Sequence, residues 1–130
     1  MYEKRIEIRW RDLDSLGHVN NAVYLTYLEE VRDEWLQHTV GGGWEYLLAR
    51  IAIDYRSELT QADDIVLARI GVLAVGTRSV RTREELRKLD GTLVAEAETV
   101  FVLRDAENRG SRPLAEAERA ALERELVGPA

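Results

Sequence analysis

Between residues 22 and 38, apolar side chains return every three or four positions. Tyr24, Tyr27, Leu28, Val31 and Trp35 fall on one side, and Glu29, Glu30, Asp33 and Glu34 fall mainly elsewhere. This is the spacing of a helix with one buried stripe, which Leu25 and Leu36 widen. At 1.5 Å per residue the helix runs about 25 Å. That is long for a chain of 130 residues, so it is expected to organise the domain. Gly41 to Gly43 follow, and glycine supplies the turn that ends a helix.

The rest of the chain reads mainly as sheet. "RIEIRW" alternates Ile6, Ile8 and Trp10 with Arg5, Glu7 and Arg9, which predicts a strand over residues 3–10. "RIAIDYRSEL" alternates around Ile51, Ile53 and Tyr55, and "DIVLARIGVLAVG" is apolar on both faces, as a buried strand would be. "SVRTREELRKL" sets Val80, Thr82, Glu84 and Leu86 against a face of arginines. Helix formers are frequent there and in "LVAEAE", but Asp90-Gly91 is a strong hairpin signal and Thr99 to Val102 are rich in β-branched residues, which favours two paired strands. "PLAEAERAALEREL", Pro113 to Leu126, predicts a short terminal helix with acids in its first turns. The order strand, long helix, four strands, tail helix is an α+β arrangement, and residues 1–130 are expected to form a single domain.

Composition narrows the chemistry. With no cysteine, thiolate nucleophiles, disulfides and Cys-based zinc sites are excluded. A net charge of -6 argues against a nucleic-acid partner. The longest uncharged apolar run, Ile70 to Gly76, falls far short of the roughly 18 residues that a membrane span needs, and Met1 to Trp10 is too charged for a signal peptide. No membrane association and a cytoplasmic location are therefore expected. One basic cluster stands out: Arg78, Arg81, Arg83, Arg87 and Lys88.

The most unusual segment is "RDLDSLGHVNNAVYLTYLEE", which begins at Arg11. A helix start needs one capping side chain, yet Asp12, Asp14, Ser15, His18, Asn20 and Asn21 all crowd this one. Any single acid here has a plain role as a turn or helix cap; the full set exceeds that need. The first amides of a helix are unpaired donors with partial positive charge and suit a developing oxyanion. An aspartate, whose ordinary pKa is about 3.9, is a weak base and suits an easily cleaved substrate. A thioester qualifies, since its thiol leaves with a pKa of about 8.5.

On these residues, "RWRDLDSLGHVNNAVYLTYLEEVR" resembles the active-site segment of hotdog-fold acyl-CoA thioesterases of the 4-hydroxybenzoyl-CoA thioesterase type. The similarity continues through "IDYRSELTQADDIVLARI", "GTRSV" and "DGTLVAEAETVFVLRD", about residues 4–105. It implies a hotdog fold, a five-stranded antiparallel sheet wrapped around the central helix. It further implies homodimers joined edge to edge, commonly paired again into homotetramers, with active sites at the dimer interface. In the family's D-x-D-x-x-G loop the second acid is catalytic, which places that role on Asp14, as nucleophile or general base. The backbone N–H of Asn21 then polarises the carbonyl. No cofactor and no metal are implied. "GHVNN", Gly17 to Asn21, departs from many benzoyl-type members and resembles acyl-carrier-protein thioesterases, which leaves the carrier open and makes His18 a second candidate catalyst.

Other residues carry competing roles. Arg78 and Arg81, beside Ser79, are candidates for the phosphates of coenzyme A, with Arg56 a further one; arginines alternating on a strand are otherwise simply solvated. Tyr24 is the best candidate for an acyl pocket among Tyr24, Tyr27, Trp35, Trp44 and Tyr46, each of which is core by default. His38 suits the helix C-terminus. A Ser15-His18-Asp14 triad is disfavoured by its crowding and by the lack of a G-x-S-x-G elbow, and a metal site from Asp12, Asp14 and His18 matches no ligand spacing. A hotdog dehydratase lacks its recognisable acid and histidine. A non-catalytic acyl-CoA binding module of the same fold is the alternative from a different class, and it would have no use for an ionised Asp14.

Overall fold

The computed structural model describes residues 1–41, 45–105, 107 and 109–128. Its elements run β1 (Tyr2–Glu7), α1 (Asn21–Val40), β2 (Glu45–Tyr55), β3 (Ile65–Val75), β4 (Ser79–Lys88), β5 (Leu93–Arg104) and α2 (Glu116–Glu123). The five strands form one sheet in the order β1-β3-β4-β5-β2, every neighbouring pair antiparallel. This is the hotdog arrangement expected from the sequence. No helix of the described chain is long and apolar enough to cross a membrane.

The helical stripe is where the pattern placed it. Tyr24, Tyr27, Leu28, Val31, Trp35 and Leu36 are buried against Val66, Ala68, Ile70, Val80, Leu86 and Phe101 of the sheet. Each fully buried Leu or Val is worth roughly 1.5–3 kcal/mol relative to exposure, so this seam supplies much of the fold's stability. Leu25 departs from the expectation and faces outward at 37% exposure, while Arg32 is buried in the same stripe. Gly41 caps the helix with φ 88, its N–H donating to the Gln37 carbonyl at 3.1 Å. Gly42, Gly43 and Trp44 lie outside the described residues.

Three boundaries differ from the sequence pattern, each for a local reason. β1 stops at Glu7, not at residue 10, because its partner β3 begins at Ile65, opposite Glu7. The Asp12 carboxylate then takes the Arg9 N–H at 3.0 Å and turns the chain, leaving Trp10 83% exposed. β2 begins at Glu45, five residues before the alternation is visible, because a register shift between Leu48 and Arg50 breaks the two-residue period. α2 is shorter than Pro113 to Leu126. Glu118 accepts the Ala115 N–H at 2.8 Å and sets the start. Beyond the helix Val72 donates to the Glu125 carbonyl at 3.0 Å and Val127 donates to that of Val72 at 2.8 Å. This tail lies beside β3 just past the last residue that β1 covers.

β3 buries Val66, Ala68, Ile70 and Val72 on its inner face, but Ile65, Leu67 and Arg69 opposite are only half-buried, so it is not apolar-packed on both sides as its composition suggested. The hairpin at Asp90-Gly91 is present, with Gly91 at φ 92, a backbone region that favours glycine. On β4 the face of Val80, Thr82, Glu84 and Leu86 points inward.

Candidate active site

The loop between β1 and α1 separates its polar residues into distinct tasks. Asn20 is the helix cap: its Oδ1 accepts the Ala22 N–H at 2.8 Å and its carbonyl accepts the Val23 N–H at 2.9 Å. Neither aspartate nor Ser15 has that role. Asp12 is buried, and its Oδ2 accepts from the Tyr27 hydroxyl at 2.6 Å and from the Arg9 backbone N–H and Nε at 3.0 and 3.3 Å. Burial works against this carboxylate, but those three donors outweigh it and hold its pKa below the ordinary value. Burial, reinforced by the same contact, pushes the Tyr27 hydroxyl well up. Asp12 thus anchors the loop to the central helix, and its carbonyl receives the Asn20 N–H at 2.9 Å, which sets where the helix begins.

Asp14 is free of such anchoring. Its Oδ1 accepts the backbone N–H groups of Leu16 at 2.9 Å and His18 at 3.2 Å, which fixes the carboxylate from one side. Gly17, at φ 82, makes the tight return that brings these amides round. Among the described residues, Oδ2 has no hydrogen-bond partner and the carboxylate pairs with no cation. It lines an open cleft of about 440 Å³ shared with His18, Val19, Asn21, Tyr24, Tyr55, Arg56, Ser57 and Glu58. A volume of that order suits a small-molecule group. With the Ala22 and Val23 amides both committed to Asn20, the Asn21 N–H takes no acceptor among the described residues. One cleft therefore holds a carboxylate oxygen and an unpaired helix N-terminal donor.

The second wall comes from the end of β2. Tyr24 is buried, its hydroxyl donating to the Ser57 carbonyl at 3.3 Å and accepting from the Leu59 N–H at 3.1 Å. Burial raises its pKa, and the hydroxyl is committed to the main chain, so Tyr24 contributes shape rather than acid chemistry. Tyr55 packs on it with ring centroids 5.3 Å apart and donates to the Asn21 carbonyl at 3.2 Å. Arg56 reaches the cleft but is bound to Glu96 at 3.0 Å, the main cause of its raised pKa, and lies 3.6 Å from Asp54. The His18 Nε2 stands 3.2 Å from Glu58 Oε2.

Five of the eight residues singled out from sequence, Asp14, His18, Asn21, Tyr24 and Arg56, thus meet in one cleft. Ser79, Arg78 and Arg81 do not. Tyr55 pairs with Ala95 and Ser79 with Val102, so the two ends are separated by seven residues of β5, about 23 Å at roughly 3.3 Å per residue. Arg78 donates to the Ser111 carbonyl at 2.9 Å, and Arg81 is exposed. Of the other aromatic candidates, Tyr27 and Trp35 are core, Tyr46 packs on Phe101 and Trp44 is outside the described residues. His38, in the last turn of α1, has its ring 5.4 Å from that of Tyr2. Tyr55, Ser57 and Glu58 were not singled out. Their only sequence signal is position, at the end of a strand and just past it.

Comparison with known proteins gives the family. Residues 8–124 match the model of the thioesterase-like superfamily. The long-chain acyl-CoA thioesterase FadM of Escherichia coli is 28% identical over 109 residues, covering 79% of this chain and 83% of that protein. A thioesterase of Thermus thermophilus, solved with coenzyme A and zinc, is 30% identical, with a TM-score of 0.82 over 92% of this chain and 95% of the other. The fold of a predicted thioesterase from Bacillus stearothermophilus superposes with a TM-score of 0.91 at 21% identity, over 99% of this chain and 98% of that one. With the matched segment spanning the loop, the central helix and all the strands that form the cleft, the chain belongs to the thioesterase-like superfamily and is a thioesterase.

Proposed function

We propose that the protein hydrolyses acyl-CoA thioesters, with Asp14 as the catalytic carboxylate. Water and the thioester give a carboxylic acid and free coenzyme A: a C–O bond forms, the C–S bond breaks, and the sulfur leaves as a thiolate that takes up a proton. Asp14 either attacks the carbonyl carbon or takes a proton from the attacking water. The Asn21 N–H stabilises the charge that gathers on the carbonyl oxygen. The observation that carries this reading is the free Oδ2 of Asp14 in the same cleft as that unpaired amide. A purely binding module has no use for an unscreened carboxylate beside an electron-poor carbonyl. The D-x-D-x-x-G loop supports a place near the 4-hydroxybenzoyl-CoA type, and the soluble substrate fits a cytoplasmic setting.

A second chain completes the site in this reading. β2 is the long open edge of the sheet, and it exposes Leu47, Leu48 and Tyr55 at 48%, 44% and 45%. Antiparallel pairing of two β2 edges about a two-fold axis sets the Tyr55 end of one chain beside the Glu45 end of the other. Glu45 pairs with Arg104, near Val102 and therefore near Ser79. The cleft of one chain then faces Arg78, Ser79 and Arg81 of the other, where the phosphates of coenzyme A lie. A further pairing of dimers gives the tetramer. Leu47→Glu with Leu48→Glu should turn a dimer or tetramer into a monomer in sedimentation velocity and lower turnover with it; an unchanged sedimentation coefficient removes β2 as the interface.

The function is tested by release of free thiol from a panel of aliphatic and aromatic acyl-CoA thioesters. Turnover of at least one class is the expected result. Cleavage of acyl-carrier-protein thioesters alone would reassign the carrier, and binding of acyl-CoA without cleavage of any thioester would leave a binding module.

A further inference from the structure

Glu58 is a residue to which neither the sequence motif nor the helix-end chemistry gives a role, yet it sits across the cleft from Asp14. The main chain around it is clamped. Arg56 and Ser57 both donate to the Val94 carbonyl at 2.8 and 3.1 Å, and the Ser57 hydroxyl donates to that of Leu93 at 3.0 Å. The Leu59 N–H donates to the Tyr24 hydroxyl at 3.1 Å, and the Leu59 carbonyl accepts from Val19 at 2.8 Å. His18 is held as firmly, its N–H on Asp14 Oδ1 at 3.2 Å and its carbonyl on the Asp14 N–H at 2.7 Å. Two clamped backbones thus present a carboxylate and an imidazole to each other across the mouth of the cleft, Oε2 to Nε2 at 3.2 Å.

The pair contributes little to the fold. The side chains are 41% and 63% exposed, and exposed ion pairs are typically worth about 0–1 kcal/mol. Its effect falls on the ring instead. An anionic oxygen 3.2 Å from Nε2 favours the ring pose and the tautomer that turn an N–H toward it. The other charged groups of the cleft are Asp14, whose Oδ1 is turned to backbone amides, and Arg56, which is held by Glu96. Glu58 is therefore the acidic side chain of the cleft that meets the ring directly.

We infer that Glu58 is a positioning residue for the thioester reaction, orienting His18 from the opposite wall so that its ring meets the bound acyl group in one pose. The inference rests on the thioesterase reading, and its test separates the two. Partners that orient a functional histidine typically matter by roughly 10–100-fold. Glu58→Ala should lower kcat by that order with KM little changed, and Glu58→Gln, which keeps an acceptor oxygen, should retain most of the rate. In a His18→Ala background, Glu58→Ala should cost nothing further. An equal loss in both backgrounds, or no loss in either, overturns the inference. Independently of turnover, 13C relaxation at His18 Cε1 should show an ordered ring that gains motion in Glu58→Ala. An unchanged ring order overturns the positioning role even if the enzyme is active, whereas an ordered ring in a protein that cleaves no thioester overturns the thioester reading alone.

Discussion

Asp14→Asn is expected to lower kcat for the best acyl-CoA by roughly 10²–10⁴-fold, the usual contribution of a positioned proton-transfer group, and by at least as much if the carboxylate is the nucleophile. The substitution is nearly isosteric. The amide oxygen can still accept from Leu16 and His18, as Oδ1 does now at 2.9 and 3.2 Å, so the loop should keep its shape. What disappears is the charge on the second oxygen, which has no role in the fold. Asp14→Asn should therefore leave the melting temperature and acyl-CoA binding close to wild type, measured by calorimetry and by titration with a non-hydrolysable thioether analogue. Asp12→Asn makes the contrast. It weakens the acceptor on which Tyr27 and Arg9 converge, so it should be felt first in stability. Equal turnover in wild type and Asp14→Asn would take the carboxylate out of the mechanism.

Arg32→Ala is expected to be the most destabilising single change outside the apolar core. The guanidinium lies under α1, 3% exposed, and donates through Nε and Nη2 to the two oxygens of Glu84 at 3.0 and 2.7 Å. Glu84 is fully buried and also accepts from the Thr82 and Thr99 hydroxyls, each at 2.8 Å, which touch one another. Burial works against the Arg32 charge, but the Glu84 carboxylate outweighs it and raises the pKa. Removing the arginine leaves an uncompensated carboxylate in the core, a loss of about 3–5 kcal/mol. The pair itself need not be stabilising, because separating two charges from water costs nearly what their attraction returns. Arg32→Met with Glu84→Leu should accordingly recover most of the loss. Urea denaturation of the three proteins measures this, and a double variant no more stable than Arg32→Ala would show that the network of hydroxyls, not the ion pair, holds the helix to β4 and β5.

The fold was legible wherever one period dominated. The stripe from Tyr24 to Trp35 gave the helix, and Asp90-Gly91 with the alternation from Val80 to Leu86 gave the hairpin, because a single buried face imposes each pattern. Boundaries were lost where a side chain competes with the ladder. Asp12 takes the Arg9 amide out of β1, and the register shift at Leu48 hides the first half of β2. Arg32 was invisible for another reason: nothing local says that an arginine on the apolar side meets Glu84, fifty-two residues away. The candidate site divides in the same manner. Its loop half was readable because Asp14, His18 and Asn21 are close in sequence. Glu58, Ser57 and Tyr55 arrive through the pairing of β2 with β5, and that contact leaves no local mark.

The two margins of the sheet are unlike. β1 is a strand of six residues, four of them charged, and where it ends the Glu125–Val127 segment occupies the adjoining backbone of β3. Short, charged or covered margins discourage accretion of foreign strands, which leaves β2, among the described residues, as the flank more open to company. A ribbon with a single sticky flank stops growing once that flank has been matched. The chain can thus keep a broad greasy border without the hazard of endless fibre formation.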